Sequence, residues 1–330
     1  MLPFRTSLAT FLLGLCLAAP ACALAEAAHL DVAVPDIGAA NKPSGGLLVD
    51  VIHEQHLLEQ ALAADGVDVR WHFFKGAAPL INEAFSNDQL DLAYLGDLGA
   101  IIGRSAGLDT RVVAVAGRGV AHYLAVPPGS PIHTLADLKG QRVGLWRGTA
   151  AQLSFIAALR TAGMSESDVR IINMDFPAAS AALSARHIDA TWGGANVLAL
   201  RERGLAEIPL SSRDLGGAGD LSGLVVAGRL AREPPDWVAK IVAVQRQAAD
   251  WAVAHPEEHL NLLANQSGYP EALLRADLQG PPTLAQRVSP TLDPAYLGGL
   301  REAIDIALKA HLIRRDVDLD AWLLPSPNTP

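Results

Sequence analysis

The stretch 134–150, TLADLKGQRVGLWRGTA, decides how this chain is organised. It predicts a short capped helical turn, a strand over 143–146, and then a Gly-Thr turn that opens a helix. The first turn of such a helix presents unpaired amide groups, a hydroxyl and the positive end of the helix dipole at one point. The sequence therefore predicts an oxyanion site at Gly148, Thr149 and Ala150, although a lone Gly-Thr pair is more often only a helix cap.

The pattern on either side of this stretch is typical of an α/β protein. Short β-rich runs alternate with helical stretches, and the runs are 30–35, 67–74, 90–95, 112–116, 123–126, 143–146, 169–174, 188–192 and 224–227. After residue 230 the strands stop, and long helical segments follow at 237–254, 257–265 and 295–311. The fold class predicted is α/β with mostly parallel sheets, covered by a helical C-terminal part.

Length and charge restrict the classes of protein to consider. The chain has 330 residues, more than one hydrophobic core ordinarily holds, which favours two domains. Its formal net charge is −9, which disfavours nucleic acid and anionic membranes as partners. An acidic protein that binds an anion must do so with local dipoles and a few well-placed donors.

The N-terminal residues have the pattern of a secretory signal peptide. Arg5 precedes an apolar run, 8–19, which is shorter than the ~20 residues that a membrane-spanning helix needs, and small residues follow at 21–25. We therefore predict a cleaved segment 1–25 and a periplasmic protein. Both cysteines, Cys16 and Cys22, would leave with that segment, so neither a disulfide nor a cysteine site is expected. The alternative is a lipid anchor on Cys22.

Four segments carry a family resemblance, because their order and spacing along the chain match those of the family's motifs. They are 67–71 with Lys75-Gly76; 89–91 with Gly96-Asp97; 136–143 with Arg147-Gly148-Thr149; and 188–192. Together they resemble the nitrate-, taurine- and aliphatic-sulfonate-binding proteins of ABC importers. The resemblance covers about residues 30 to 206, and it is weaker in the helical C-terminal part.

This resemblance implies the type II periplasmic binding protein fold, with two α/β lobes joined by two hinge crossovers. We expect residues 26–118 and 224–330 to form lobe I, residues 119–223 to form lobe II, and the C-terminal helices to pack mainly on lobe I. The glycine-rich crossovers would lie near 115–123 and 211–223. A ligand would then bind between the lobes, which close around it by hinge bending.

The chain departs from the family pattern in two places. After the strand at 188–192 it has Gly193-Gly194-Ala195-Asn196 instead of an acidic residue and proline, and the loop 36–46 is long. The glycine pair could leave room for a larger organic group, and the loop supplies Lys42 and Ser44 as possible donors. A role in tight turns explains Gly193-Gly194, and Gly45-Gly46 at the end of the loop, equally well.

The candidate ligand-binding residues follow from what the resemblance implies, together with the long first loop and the predicted strand ends. The oxyanion is expected on Gly148, Thr149 and Ala150, opposed by lobe I residues at the third strand. The other members of the predicted site are Asp36, Ile37, Lys42, Ser44, Gly96, Asp97, Leu98, His122, Tyr123, Phe176, Trp192, Gly193 and Asn196. Tyr123, Phe176 and Trp192 are the candidate walls for an apolar tail, because each lies at or just past a strand end.

The resemblance implies the solute-binding subunit of an ABC importer, which captures a small organic oxyanion. A sulfonate or a sulfate ester is favoured; taurine, nitrate or a thiamine-precursor pyrimidine is the alternative, as is a sensory binding protein. The expected partners are a transmembrane permease and its cytoplasmic ATPase, with the binding protein itself a monomer. We expect no enzymatic activity, cofactor or metal: His255 and His259 lack the motif of a zinc protease, and the mature chain lacks the cysteines of enzymes that share this architecture.

Overall fold

The computed structural model describes residues 28–39, 42–215, 220–232 and 235–324. The predicted signal peptide 1–25 and the glycines at 216–219 lie outside the described residues, as does the tail from residue 325. None of the helices in the described ranges is both long and apolar enough to cross a membrane.

Strands and helices alternate as the sequence pattern predicts. The strands are β1 (His29–Pro35), β2 (Asp68–Phe74), β3 (Leu92–Gly96), β4 (Thr110–Val120), β5 (Tyr123–Val126), β6 (Arg142–Leu145), β7 (Arg170–Asn173), β8 (Ala190–Gly193), β9 (Glu207–Ser211) and β10 (Asp220–Ala227). The helices of the first part are α1 (Leu47–Glu54), α2 (Leu57–Leu62), α3 (Ala77–Ser86), α4 (Asp97–Ala106), α5 (Ala150–Thr161), α6 (Phe176–Ser184) and α7 (Ala195–Glu202).

After β10 the described chain is helical. Its helices are α8 (Gly228–Arg232), α9 (Pro235–Ala254), α10 (Pro256–Ser267), α11 (Glu271–Leu278), α12 (Leu284–Val288), α13 (Pro294–Lys309) and α14 (Leu319–Trp322). Several begin with an acidic cap: the side chain of Asp175 accepts the Ala178 amide at α6, and that of Asp293 accepts the Tyr296 amide at α13. The prediction of an α/β fold with a helical C-terminal part is confirmed.

The strands form two five-stranded mixed sheets of the same design. The first has the order β2-β1-β3-β10-β4 and the second β7-β6-β8-β5-β9. In each sheet a run of parallel strands is followed by a reversed strand, β10 antiparallel to β3 and β5 antiparallel to β8. The reversed strand is in both cases the first strand after the chain has crossed from the other sheet.

The chain crosses between the sheets at two places among its strands. It leaves the first sheet after Val120 and enters the second at Tyr123, then leaves the second after Ser211 and rejoins the first at Asp220. Strand pairing thus assigns 119–120 and 220–223 to the first sheet, whereas the predicted lobe II included them. The division into lobes as separately moving bodies stays a prediction.

The C-terminal helices pack mainly on the first sheet. Helix α9 joins the apolar layer on the face that carries α1 and α2, and α13 joins the layer on the opposite face, where Trp322 is fully buried. Helix α11 is different, because Leu273 is buried with the α7 residues Val197 and Leu198 of the second half. This segment therefore bridges the two halves.

Candidate functional site

The carboxyl ends of β3 and β6 bring two helix N-termini together at the boundary between the sheets. Gly96 precedes α4 in the first half, and Ala150 begins α5 in the second. A Cβ atom on Gly96 would lie only 3.0 Å from the Cβ of Ala150. The structure therefore brings together the residues that the sequence predicted on opposite sides of the site.

The donors at the start of α5 are only partly available. The Gly148 amide donates to Oε1 of Gln152 at 2.8 Å, and the Thr149 hydroxyl donates to the Trp146 carbonyl at 2.8 Å. In the part of the chain that the structure describes, the amides of Thr149 and Ala150 have no hydrogen-bond partner. The prediction that the Gly148 amide and the Thr149 hydroxyl are free donors therefore needs correction, because this turn caps itself.

Gly148 is constrained from two sides. Its φ of +78° lies in the left-handed region, which favours glycine. A Cβ there would also lie 3.2 Å from Cγ of Pro79, a residue of α3 in the first half. Glycine at this position lets the second half approach the first closely.

Asp97 is a buried carboxyl at the same boundary. It accepts the Leu98 amide at 2.6 Å and the Leu221 amide at 3.4 Å, and its side chain does not face open solvent. Burial, with the nearby carboxylate of Asp220, raises the pKa of Asp97 well above its usual range. A carboxyl that tends to be neutral repels an anionic ligand less than a carboxylate would.

His122 and Trp192 form a stacked pair behind this carboxyl. Their rings lie 6.4 Å apart, and Nδ1 of His122 is 3.2 Å from Oδ1 of Asp220. Trp192 is only 1% exposed, contacts Phe155, and donates its indole N–H to Oγ of Ser154 at 3.2 Å. The prediction of Trp192 as an open wall is corrected: its ring fills the core of the second half.

Phe176 and Tyr123 have different surroundings. Phe176 is half-buried and meets the half-buried Trp146 edge to face, with ring centroids 5.1 Å apart. The sequence analysis did not single out Trp146, although its place between β6 and the Gly-Thr turn was a usable signal. Tyr123 is buried and donates its hydroxyl to Oδ1 of Asp277 at 2.5 Å, so this phenol is already bonded within the protein.

The loop after β1 is held by its own side chains. Oδ1 of Asp36 accepts the amides of Gly38 and Ser44, at 3.1 and 3.2 Å. The fully buried Ser44 donates its hydroxyl to Oδ2 of Asp50 at 2.7 Å. Burial raises the pKa of Asp50 to about 6, although the hydrogen bonds from Ser44 and the following amides oppose this shift. Ser44 is therefore a structural donor within the loop, which corrects its predicted role.

Lys42 and Ile37 lie on either side of this loop. Lys42 borders a surface depression shared with Glu257 and Glu258 of α10, so it is not brought to the second half, contrary to the prediction. Ile37 is 42% exposed and lies against Gly46, at the start of α1. The exposed side chain of Ile37 therefore remains as an apolar surface that a ligand could contact.

Gly193 and Asn196 are neighbours at the end of β8. A Cβ on Gly193 would lie 2.8 Å from Oδ1 of Asn196, so glycine leaves space for the first turn of α7. The amide of Asn196 donates to Oγ of Ser180 at 3.3 Å. Both residues lie at the edge of the second sheet that faces the first half, since Gly193 pairs with Tyr123.

A cavity of about 240 Å³ lies between the halves, next to the crossing that leads to β10. Its polar lining is acidic and hydroxylic, from Asp97, Ser154, Thr161, Ser212, Asp220 and Glu302. Among the residues that the structure describes, no group of three or more His, Cys, Asp or Glu side chains could hold a metal ion. The lining residues include no lysine, arginine or histidine, so this cavity offers an anion no positively charged side chain.

Three proteins illustrate what the chain is similar to. It is 27% identical, over 74% of its own length and 75% of the relative's, to the "Putative aliphatic sulfonates-binding protein" of Escherichia coli K12. The alkanesulfonate-binding protein SsuA of Xanthomonas axonopodis pv. citri, solved bound to MOPS, superposes with a TM-score of 0.76, at 23% identity over 91% of this chain and 99% of that one. The desulfurization enzyme DSZB superposes at 0.66, at 19% identity over 90% and 96% of the two chains.

The superposition on SsuA confirms the predicted binding-protein fold. The likeness to DSZB means that an enzyme shares this fold too, so the fold alone does not separate binding from catalysis. The model of the family described as NMT1/THI5 like matches residues 55–259. This match spans more than half of the chain, from just before α2 to the start of α10, and the chain therefore belongs to the NMT1/THI5-like family.

Proposed function

We propose that this protein is the extracytoplasmic solute-binding subunit of an ABC importer and that it captures a small organic sulfonate or sulfate ester between its two halves. The observation that carries the proposal is the meeting of Gly96 and Ala150, the starts of two helices that belong to separate sheets. The E. coli relative and the Xanthomonas structure support the ligand class, since both are named for sulfonate binding.

The proposed capture uses the groups left free at this boundary. The oxyanion accepts the amides of Thr149 and Ala150 at the positive end of the α5 dipole. Charge-assisted backbone hydrogen bonds are worth about 1.5–3 kcal/mol each, so a few of them suffice for micromolar affinity after ordering costs. The Trp146–Phe176 pair and Ile37 contact the organic tail.

The two crossings act as the hinge in this proposal. They join lobe I to lobe II between Val120 and Tyr123 and between Ser211 and Asp220. Closure brings Gly148 and Ala150 of lobe II onto Pro79 and Gly96 of lobe I. The closed form would dock on a transmembrane permease that works with a cytoplasmic ATPase, after export of the chain by its signal peptide.

A binding role without catalysis is favoured by the residue inventory. Residues 28–324 contain no cysteine, and the two cysteines of the chain lie in the predicted signal peptide. The hydroxyl at the start of α5, that of Thr149, donates to the Trp146 carbonyl, and the nearby Asp97 carboxyl is buried. These bonded or buried groups suit binding of an anion better than nucleophilic attack.

Titration calorimetry on the purified mature chain tests the proposal. Ethanesulfonate, longer alkanesulfonates and ethyl sulfate should release heat, with nitrate and taurine as the competing ligands. Thr149→Asp should abolish binding by placing a negative charge at the helix start, whereas Thr149→Ser keeps the hydroxyl and should bind as the wild type does. If none of the sulfur oxyanions binds, the ligand class is wrong.

A further inference from the structure

A buried arginine beside the first crossing has a free hydrogen-bonding edge. Arg287, on α12, is only 2% exposed. Its Nη1 donates to the carbonyl of Gly119, near the end of β4. Its Nε and Nη2 are buried and have no hydrogen-bond partner in the described structure. These two nitrogens donate on the same side of the planar guanidinium, which is the edge that binds two oxygens of one anion.

The surrounding charges provide one carboxylate, Asp277, for two arginines. Nη2 of Arg213, which follows β9, donates to the backbone carbonyl of Asp277 at 2.5 Å and lies 3.5 Å from its Oδ1. The same Oδ1 accepts the Tyr123 hydroxyl at 2.5 Å. Burial and the charge of Arg213 lower the pKa of Arg287, against the opposing effects of Asp277 and Tyr123. Two guanidinium groups thus share one carboxylate, and the cluster has an excess positive charge.

An uncompensated charge in the interior is costly to a protein unless something pairs with it. Arg213 has a second free group at this place, because its Nε is also buried and unpartnered. Gly119 precedes the first crossing, Arg213 lies in the second, and Asp277 belongs to the bridging helix α11. The cluster is therefore built from every segment that links the two halves.

We infer that Arg287 and Arg213 form an oxyanion-binding site at the hinge, separate from the turn at Thr149. Its ligand is an oxyanion with two or more oxygens, such as a sulfonate or inorganic sulfate, held by the Nε and Nη2 edge of Arg287. The anion is the head group of a second sulfonate molecule, bound apart from the one at Thr149, or it is a free inorganic oxyanion. The first source rests on the proposed function, and the second does not.

Arg287→Met tests this inference, because methionine keeps an apolar side chain without the charge. Arg118→Met is the matched control: Arg118 also lies near the end of β4, but its guanidinium is paired with Asp293 at 2.7 Å. Affinities for sodium sulfate and for ethanesulfonate are measured by calorimetry in chloride-free buffer. Anion-induced shifts of the melting temperature give a second readout.

If the head group is the source, Arg287→Met weakens ethanesulfonate binding by about tenfold or more, as expected for loss of a charge-assisted pair. If a free oxyanion is the source, sulfate raises the melting temperature of the wild type and of Arg118→Met, but not of Arg287→Met, and ethanesulfonate binding is unaffected. The inference is overturned if Arg287→Met binds sulfate and ethanesulfonate with the affinity of the wild type and shows the same shifts of the melting temperature with both.

A folding defect in Arg287→Met does not prevent the test. In that case the Nε–H resonance of Arg287 is followed by NMR in the wild type, where it should shift on addition of either sulfate or ethanesulfonate. A resonance that moves with neither probe overturns the inference. If the wild type binds no organic sulfonate, but sulfate raises its melting temperature in a way that depends on Arg287, the proposed function is contradicted and the arginine site still stands.

Discussion

Replacing Gly96 with valine tests whether the two halves close on each other at the starts of α4 and α5. Gly96 has φ −63° and ψ 154°, a conformation open to any residue, so the substitution adds no backbone strain. A Cβ at this position would lie 3.0 Å from the Cβ of Ala150, whereas carbon atoms pack best at about 3.5–4.0 Å. The penalty is therefore steric and arises only where the halves meet.

The size of the effect follows from this contact. Overpacking of this kind costs ~1–3 kcal/mol, and the valine methyl groups favour the upper part of that range. In the proposed hinge motion the open form lacks this contact, so the cost would fall on the closed, ligand-bound form. We expect the Kd for the best alkanesulfonate to rise by about 5- to 150-fold.

Titration calorimetry measures the affinity, and thermal unfolding without ligand measures the stability. Gly298→Ala is the control, since a Cβ at Gly298 on α13 meets nothing within 4 Å. It should leave the Kd unchanged and stabilise the helix by ~0.5–1 kcal/mol. If Gly96→Val folds and binds with the wild-type Kd, the halves do not meet at Gly96 around the ligand and the reasoning fails.

Three further changes probe separate parts of the structure. Phe176→Ala should weaken binding of long-chain alkanesulfonates by about tenfold and hardly affect methanesulfonate, as calorimetry would reveal, because it removes half of the Trp146–Phe176 wall. Ser44→Ala should lower the free energy of unfolding, measured in urea, by ~1–3 kcal/mol without changing the Kd, because it removes a hydrogen-bond donor from buried Asp50. An equal loss of stability in the control Ser86→Ala, whose hydroxyl is exposed, would refute this. Asp97→Asn should become more stable relative to the wild type as pH rises above 4, as urea melts would measure. The pKa of Asp97 is raised in the folded state, so its contribution to wild-type stability is complete below the unfolded-state pKa and is lost as pH rises through the folded-state pKa. A stability difference that does not depend on pH would contradict this.

The sequence predicted the architecture well because its signals are local. Alternating apolar runs identified the strand at 143–146 to within one residue of β6 and the strand at 123–126 as β5 itself. The turn at Thr149 and the end of the third strand at Gly96 lie in separate sheets, so local signals placed each at a strand end and only the family resemblance implied that the two face each other.

Long-range pairing explains what the sequence did not predict. Nothing near Ser44 indicates that its hydroxyl meets Asp50 in a sealed pocket, or that Trp192 would pack on Phe155. Arg287 has an ordinary helical context, and its burial depends on Gly119, which lies 168 positions away in the chain. Burial of a polar side chain is a tertiary property that residue periodicity does not encode.

In the proposed hinge motion, the bridging helix α11 would limit how far the two halves can move apart. It packs on α7 of the second half, while α10 and α12 on either side of it pack on the first, and the connecting segments 268–270 and 279–283 are short. Moving the halves apart would therefore extend these two connecting segments or remove Leu273 from its apolar contacts with α7. In that motion, the lengths of the connecting segments 268–270 and 279–283 would restrict how wide the entrance for a solute becomes.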